Sequence, residues 1–271
     1  MRQMFWAIGL LIALTGPARA QDAPLASLQT GDDARGWEAV GRLDIEGKGF
    51  CTGALIAPDL VLTAAHCLYD RGSGDRIDPS RIEFQAGLRN GRALAYRDVR
   101  RAVIPAGYVF DGTVSDVASQ ADVALLELSQ PIRLTQIGPF EIASRLAMGT
   151  QVGVVSYAQD RSEAPSLQEA CSVLGQSRGV YVLSCDVNFG ASGAPIFVFE
   201  GGVARIVSVV SAKAEMDGQQ VALGTALDQP LAELRALLDM GGGGAFQAVT
   251  PRVRVMGQTE QTGTGAKFVR P

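Results

Sequence analysis

Three side chains that could together perform nucleophilic catalysis occur in distinctive settings along this chain. His66 is the only histidine in 271 residues, and it follows the apolar run "LVLTAA" directly before a cysteine. Asp122 begins the otherwise apolar stretch "DVALLEL", and Ser192 lies among small residues in "NFGASGAP". An imidazole can act as a general base, a carboxylate can orient it, and a hydroxyl can attack a carbonyl carbon.

Each of these residues also has an ordinary structural explanation. A single histidine at the end of an apolar run is often a core residue, and a serine between glycines is often part of a simple turn. A carboxylate at the start of a strand can lie in solvent, although a buried Asp122 would need a partner. Asp116, in the polar run "GTVSDVASQ", is the alternative carboxylate.

Residues 1–20 have the pattern of a secretory signal peptide. Arg2 precedes the apolar run "MFWAIGLLIAL", and "TGPARA" supplies small residues before a cleavage predicted ahead of Gln21. The apolar run is shorter than an ordinary membrane-spanning helix, and an uncleaved N-terminal anchor is the alternative. We therefore expect an exported chain, periplasmic or secreted, with no membrane contact after signal cleavage.

Four cysteines in an exported chain predict two disulfide bonds. Three pairings are formally open, and proximity in the sequence favours Cys51 with Cys67 and Cys171 with Cys185. With one histidine and the cysteines used in bridges, we expect no metal site. The chain has no nucleotide-binding loop, so we expect no organic cofactor. The formal net charge of −4 argues against a nucleic-acid-binding surface.

The remaining pattern predicts an all-β domain with short extensions at both ends. Short apolar runs from Trp37 onward, separated by Gly, Pro, Asp and Ser, predict about a dozen strands in a barrel or a pair of sandwiches. Leucines at helical spacing predict one helix over residues 229–240. Residues 21–36 are small and polar, which predicts a flexible leader or pro-segment. Residues 241–271 begin with "GGGG" and predict a linker and a mostly disordered tail.

Taken together, the three stretches resemble the trypsin-like (chymotrypsin-fold) serine peptidases. "TAAHC" matches that family's histidine motif nearly letter for letter, "DVALLEL" is similar to its aspartate motif, and "GASGAP" to its Gly-Asp-Ser-Gly-Gly-Pro motif with two alterations. "CTGALI" supplies the cysteine that pairs with the one after the histidine. The resemblance covers roughly residues 37–240, and "CDVNFGASGAP" and "GWEAVGRL" resemble the bacterial branch that includes the glutamyl endopeptidases.

This resemblance implies two packed six-stranded antiparallel β-barrels with a C-terminal helix and an active site in the cleft between the barrels. Residues 37–140 would form the first barrel and carry His66 and Asp122. Residues 141–240 would form the second barrel and the helix, and carry Ser192. The implied activity is that of a serine endopeptidase, which hydrolyses protein or peptide substrates through a Ser-His-Asp triad and an acyl-enzyme intermediate.

The family also implies an oxyanion hole and a surface for the substrate backbone. The backbone N–H groups of Gly190 and Ser192 would stabilise the oxyanion. The strand around residues 208–212 would pair with the substrate backbone. The substrate-binding residues expected in this strand are Ser208, Val210, Ser211 and Ala212.

Asp186 stands at the position that forms the floor of the specificity pocket in trypsins. A buried carboxylate there would favour basic substrate side chains, and a loop residue that caps backbone N–H groups is the alternative. Glutamyl endopeptidases commonly hold an acidic side chain with a second histidine, and Val210 stands where we would place it. We therefore expect basic or small side chains before the scissile bond rather than acidic ones.

Two positions depart from the family motif. Ala191 stands where most relatives have the aspartate that pairs with a newly freed N-terminal ammonium, and Ala194 replaces the second glycine. Because Ala191 cannot form that pair, we expect the loop to be held by its own hydrogen bonds. The competing hypothesis is a non-catalytic secreted binding or scaffold protein, but no triad member is lost. A lipase or esterase fits less well, because strand-like residues follow the serine and the triad order differs.

Overall fold

The computed structural model describes residues 22–110, 119–241 and 245–247. The predicted signal peptide, Asp116 and the tail beyond residue 247 lie outside the described residues. The strands are β1 (Ala26–Ser27), β2 (Val40–Ile45), β3 (Gly49–Ala57), β4 (Leu60–Thr63), β5 (Ile82–Ala86), β6 (Ala95–Val103), β7 (Ala124–Leu128), β8 (Glu141–Ile142), β9 (Gln151–Ala158), β10 (Arg161–Ser177), β11 (Val180–Leu183), β12 (Pro195–Glu200), β13 (Val203–Met216), β14 (Gln219–Ala226) and β15 (Ala245–Gln247). A C-terminal helix, α1 (Asp228–Asp239), follows β14 at the place predicted from its leucines.

Two sets of six antiparallel strands form barrels, each closed by one additional pairing. In the first barrel, the order β6-β5-β2-β3-β4-β7 closes where β6 pairs with β7. In the second, the order β10-β11-β14-β13-β12-β9 closes where β10 pairs with β9. In β5, "IEFQA", buried residues alternate with half-buried ones, as expected for a strand with one face on a core. The all-β fold predicted from the sequence is confirmed.

An apolar cluster between the barrels holds them face to face. It combines Leu62 and Leu125 from the first barrel with Phe197 from the second, and all three are fully buried. Leu231 and Leu234 of α1 join the same cluster, which explains why the helix is amphipathic. Because apolar burial contributes about 25 cal/mol per Å², this shared core fixes the cleft that lies between the barrels.

Residues 23–28, within the segment 21–36 predicted as a flexible leader, pack against the second barrel in the structure. β1 pairs antiparallel with β10, with Ala26 opposite Leu167. Leu28 is only 5% exposed and joins the cluster between the barrels. A segment that pairs with an existing strand edge needs little apolar sequence of its own, so its composition alone did not reveal the docking.

Residues 245–247, within the segment predicted as linker and tail, form the short strand β15. β15 pairs antiparallel with β6, with Phe246 opposite Ala102.

No helix in the described part of the chain has both the length and the apolar character needed to span a membrane.

Two disulfide bonds cross-link neighbouring strands and loops within the barrels. Cys51 in β3 is joined to Cys67, just beyond β4, with an S–S distance of 2.04 Å. Cys171 in β10 is joined to Cys185, just beyond β11, with an S–S distance of 1.96 Å. These are the two pairings that proximity in the sequence favours.

Removing the Cys51–Cys67 bond should lower the free energy of unfolding by about 3 kcal/mol, because the bond restricts the unfolded chain across a short loop. Urea unfolding of the Cys51→Ala/Cys67→Ala variant measures this loss. The Cys171→Ala/Cys185→Ala variant is a matched comparison, since the two sequence separations are 16 and 14 residues. Unfolding free energies equal to that of the wild type would contradict the prediction.

Candidate active site

His66 is held in a short 3₁₀ helix, Ala65–Leu68, that follows β4. β4 pairs with β3 on one side and with β7 on the other, so the backbone leading to the histidine is fixed. The disulfide between Cys67 and Cys51 anchors the residue immediately after it. The side chain of His66 is 14% exposed, which leaves the imidazole accessible from the cleft.

Asp122 lies just before β7, and its carboxylate is buried against His66. Its Oδ2 is 2.7 Å from Nδ1 of His66, and its Oδ1 accepts a hydrogen bond from the backbone N–H of His66 at 2.9 Å. Ser211 Oγ donates a further bond to Oδ2 at 2.5 Å. The carboxylate is therefore paired, as its burial requires. Since Nδ1 faces a carboxylate, the neutral imidazole carries its proton there and leaves Nε2 as an acceptor.

A set of buried hydroxyl groups is hydrogen-bonded to the Asp122 carboxylate and to the backbone near it. Ser119 Oγ lies 3.1 Å from Ser211 Oγ, and Thr225 Oγ1 donates to the carbonyl of Ser119 at 2.7 Å. Ser119, Ser211 and Thr225 are all buried. The family resemblance implied Ser211 only as a substrate-binding residue, and no pattern in the sequence marked Ser119 or Thr225. Single hydroxyl residues carry no pattern that distinguishes them in a sequence.

Ser192 lies in the loop before β12, and this loop is docked on the first barrel. Its carbonyl accepts a hydrogen bond from the backbone N–H of Thr52 at 2.9 Å. Thr52 follows Cys51, whose disulfide partner follows His66. The structure thus brings the loop of the predicted nucleophile to the segment that carries the histidine.

Thr52 is completely buried and contacts both residues of the predicted oxyanion hole. Its Oγ1 donates to the carbonyl of Gly190 at 2.9 Å and accepts from the backbone N–H of Tyr157 at 3.1 Å. Its backbone N–H holds Ser192, as described above. The Tyr157 hydroxyl donates to the carbonyl of Leu88 at 2.9 Å, and burial raises the pKa of this phenol far above its ordinary value, so it stays a neutral donor.

The backbone of the loop leaves two N–H groups free for a ligand. The carbonyl of Phe189 accepts from the N–H of Gln159 at 2.7 Å. Because a trans peptide places its C=O and N–H on opposite sides, the N–H of Gly190 points away from Gln159. Among the described residues, neither the Gly190 N–H nor the Ser192 N–H donates to a protein acceptor. Gly190 has a φ of 96°, and a Cβ there would lie 2.3 Å from the Phe50 ring, so this position requires glycine.

The structure pairs His66 with Asp122 directly and brings Ser192 near through the loop. In the described part of the chain, no hydrogen bond joins Ser192 Oγ to His66 Nε2, and Nε2 lies 3.9 Å from Cys67 Sγ. Catalytic hydrogen bonds are often long in free enzymes and tighten when substrate binds. Cys51, His66 and Cys67 are also the only cluster of potential metal ligands found in the described residues, but both sulfurs are used in the disulfide.

The strand predicted to pair with substrate offers a shorter free edge than expected. Ser208 pairs with Ile196 on one side and Ala226 on the other, and its Oγ donates to a buried carbonyl. Val210 is buried and is hydrogen-bonded through both its N–H and its carbonyl to the loop after Ser192. Ser208 and Val210 are therefore occupied within the barrel, because the pairing of β12 with β13 reaches this far. The free edge of β13 begins at Ser211 and continues into the half-buried Ala212.

Asp186 is exposed in the structure, unlike a charge on the floor of a buried pocket. It lines a cavity of about 170 Å³ together with Lys213. Its backbone N–H donates to Gln168 Oε1 at 2.8 Å. The expected preference for basic side chains assumed a buried carboxylate without a partner, and this arrangement does not supply one.

A groove of about 570 Å³ runs from His66 along the turn between β2 and β3. Its walls carry aromatic rings and cations. The Arg42 guanidinium lies 4.6 Å from the centroid of the Phe50 ring, and that of Arg71 lies 5.9 Å from the centroid of the Phe189 ring. The volume of this groove lies within the range of ligand-binding clefts in proteins.

The fold and the buried histidine–carboxylate pair define the chymotrypsin-like class of serine peptidases. The family model described as Trypsin matches residues 29–226. The chain belongs to the trypsin family, in the region of the family near the bacterial glutamyl endopeptidases.

Individual relatives agree with this assignment. The glutamyl endopeptidase of Bacillus licheniformis is 30% identical over 153 residues, which are 55% of this chain and 45% of that protein. Serine protease 23 of Mus musculus is 29% identical over 227 residues, which are 70% of this chain and 58% of that protein. A solved structure of a Glu endopeptidase in complex with MPD superposes with a TM-score of 0.65 at 20% identity, covering 80% of this chain and 96% of that one. The chain spans about half the length of the curated relatives it matches.

The close approach of the Ser192 loop to the first barrel depends on Gly193. A Cβ at this position would lie 2.1 Å from Thr63 Oγ1 and 2.8 Å from the backbone N of Ala64. Gly193→Ala should therefore lower the free energy of unfolding, measured in urea, by about 2 kcal/mol more than the matched variant Gly202→Ala. Both glycines have a positive φ, of 76° and 82°, but a Cβ at Gly202 would meet nothing within 4 Å. Equal losses in the two variants would show that the approach is not tight.

Proposed function

We propose that this chain is an exported serine endopeptidase that hydrolyses protein or peptide substrates. The observation that carries the proposal is the buried Asp122 carboxylate, which holds Nδ1 of His66 and leaves Nε2 as a base on the side of the cleft. The nearby loop supplies the Ser192 hydroxyl and the two unpaired N–H groups described above. This is the set of groups that acyl transfer needs.

In the proposed reaction, Ser192 Oγ attacks the carbonyl carbon of the scissile peptide while His66 Nε2 takes the hydroxyl proton. The negative charge that develops on the carbonyl oxygen is stabilised by the N–H groups of Gly190 and Ser192. His66 then gives its proton to the leaving amine, and an acyl-enzyme forms on Ser192. Water attacks this ester in the same way, with His66 again as the base. Asp122 stabilises the imidazolium in both steps without taking its proton.

The substrate would lie across the cleft in an extended conformation. Residues before the scissile bond would pair with the free edge of β13 that begins at Ser211, since an exposed strand edge can accept an added strand. Residues after the scissile bond would occupy the groove beside His66 that carries Arg42 and Arg71. The Ser211 side chain is already used on Asp122, so its part in substrate binding would be through the backbone.

Export to the periplasm or the cell exterior is part of the proposal. The two disulfide bonds are stable in oxidising compartments and rare in the cytosol. The predicted signal peptide at residues 1–20 agrees with them. Intact-mass measurement of the exported protein tests this, with a chain that begins at Gln21 as the expected species.

A non-catalytic binding or scaffold protein on the same fold is the second candidate. The observation that favours it is the absence, among the described residues, of a hydrogen bond between Ser192 Oγ and His66 Nε2. A fluorophosphonate probe distinguishes the two candidates, because it reacts with an activated serine and not with an ordinary one. We expect stoichiometric labelling at Ser192 and none in the Ser192→Ala variant. A correctly folded wild type that is not labelled would favour the scaffold.

The triad residues should act as a unit. Ser192→Ala and His66→Ala should each remove most peptide hydrolysis, and the double variant should lose little more. Asp122→Asn should lower kcat by about 10⁴, because the imidazole would lose its correct tautomer and orientation. Asp116→Asn is the control and should leave kcat near that of the wild type. If Asp116→Asn is the damaging change, the third member of the triad is misassigned.

We propose a preference for basic or small side chains, rather than acidic ones, before the scissile bond. The exposure of Asp186 and the proximity of Lys213 weaken the case for a basic preference but do not favour an acidic one, since the residue at 210 is a valine. A mixed peptide library measures the preference in the wild type and in Asp186→Ser. Cleavage mainly after Glu would contradict the proposal. An unchanged preference in Asp186→Ser would show that Asp186 is a structural residue of its loop and does not select the substrate side chain.

A further inference from the structure

A buried glutamine joins the N-terminal segment, residues 22–28, to the loop that carries the nucleophile. Gln168 lies in β10 and is 4% exposed. Its Nε2 donates to the carbonyl of Ala23 at 2.9 Å, and its Oε1 accepts from the backbone N–H of Asp186 at 2.8 Å. One side chain therefore bonds the segment at one end and the start of the 186–192 loop at the other.

The segment is docked on both sides of this contact. The N–H of Ala23 donates to the carbonyl of Ala170 at 2.8 Å, and the N–H of Leu28 donates to the carbonyl of Pro165, also at 2.8 Å. Between these bonds, β1 pairs with β10, and the Leu28 side chain is buried. The position of the Ala23 carbonyl is therefore set by the barrel and by an apolar anchor.

The two partners of Gln168 also fix the orientation of its amide. Nε2 can only donate and Oε1 can only accept, so the observed arrangement satisfies both groups and the reversed amide would satisfy neither. Without the glutamine, the half-buried carbonyl of Ala23 and the N–H of Asp186 would lose these partners. Because the Gln168 amide itself is buried, its two bonds are shielded from competing water and restrain the segment and the start of the loop.

The 186–192 loop lacks one possible support because residue 191 is an alanine. An alanine has no carboxylate that could pair with a terminal ammonium, so other bonds must hold the loop. Within the loop, the N–H of Ala191 donates to the carbonyl of Asn188 at 2.9 Å. The bonds from Thr52, Gln159 and Gln168 come from outside the loop, so the expectation that the loop is held by its own hydrogen bonds describes only part of the structure.

We infer that the docked segment 22–28 acts through Gln168 as a brace that holds the 186–192 loop in the geometry needed for oxyanion binding. Gln168 is a positioning residue, and its bond is to a backbone carbonyl of the segment rather than to a terminal ammonium. The brace therefore does not use a terminal ammonium. The inference rests on the proposed function, since it concerns the reactivity of Ser192.

Two measurements on the full chain test the brace, using Gln168→Ala with Gln176→Ala as the control. Gln176 lies in the same strand but is exposed. The rate of fluorophosphonate labelling at Ser192 should fall about tenfold in Gln168→Ala and stay at the wild-type value in Gln176→Ala. Hydrogen exchange should become faster in both segment 22–28 and loop 186–192 of Gln168→Ala.

Leu28→Ala tests the coupling between segment 22–28 and loop 186–192 by a change in the segment. Leu28 anchors the segment and lies outside the loop. We expect faster exchange in loop 186–192 and slower labelling, and we expect the effect on labelling to disappear when Gln168→Ala is already present. If segment 22–28 loosens while loop exchange and labelling stay at wild-type values, the segment is not a brace. A labelling rate for Gln168→Ala within about twofold of wild type would also overturn the inference.

Two further outcomes are covered by the same measurements. If Gln168→Ala does not fold, Gln168→Glu keeps an acceptor for the Asp186 N–H but repels the Ala23 carbonyl, and it should still raise exchange in both segments. Wild-type exchange in the loop of that variant would overturn the brace.

If the wild type itself is not labelled, the proposed function fails, and hydrogen exchange alone then decides whether the segment and the loop are coupled.

Discussion

The buried hydroxyl of Thr52 is the contact on which the geometry of the site depends. It lies in the first barrel, yet it donates to the carbonyl of Gly190 and accepts from the N–H of Tyr157, both in the second barrel. The backbone N–H of the same residue holds the carbonyl of Ser192. Because Thr52 is completely buried, the loss of any of these partners would leave a polar group unsatisfied in the protein interior. The arrangement of the loop is therefore tied to the way the two barrels pack.

The histidine–carboxylate pair is tied to the same packing by a second group of polar contacts. Asp122 belongs to the first barrel, and it receives a hydrogen bond from Ser211 of the second. Thr225 of the second barrel donates to the carbonyl of Ser119, a few residues before Asp122. The side chains that form both groups of contacts are buried. A shift of one barrel against the other would break bonds at Asp122 and at the Ser192 loop together.

The sequence predicted those features of the molecule that depend on residues close together in the chain. Short apolar runs between Gly, Pro, Asp and Ser predicted strands such as β5, and the leucine spacing predicted the helix α1. Close spacing predicted the disulfide of Cys51 with Cys67. The short motifs around His66 and Asp122 predicted residues that the structure indeed brings into contact.

The features that the sequence missed depend on the tertiary structure. Thr52 is a single threonine in a strand, and only the packing of the second barrel gives its hydroxyl two partners. The docking of Leu28 depends on a free edge of β10, which the leader's own composition does not reveal. Asp186 is exposed in the folded loop, which its position relative to Ser192 in the sequence does not reveal. Ala191 showed that the usual ion pair is missing, but the bonds that take its place come from distant residues.

The single histidine allows the account to be tested directly by NMR. In a ¹⁵N-histidine sample every imidazole signal comes from His66, so no assignment is needed. The account predicts that the neutral ring carries its proton on Nδ1, bonded to Asp122, and that Nε2 is unprotonated. A neutral ring protonated on Nε2 would contradict it.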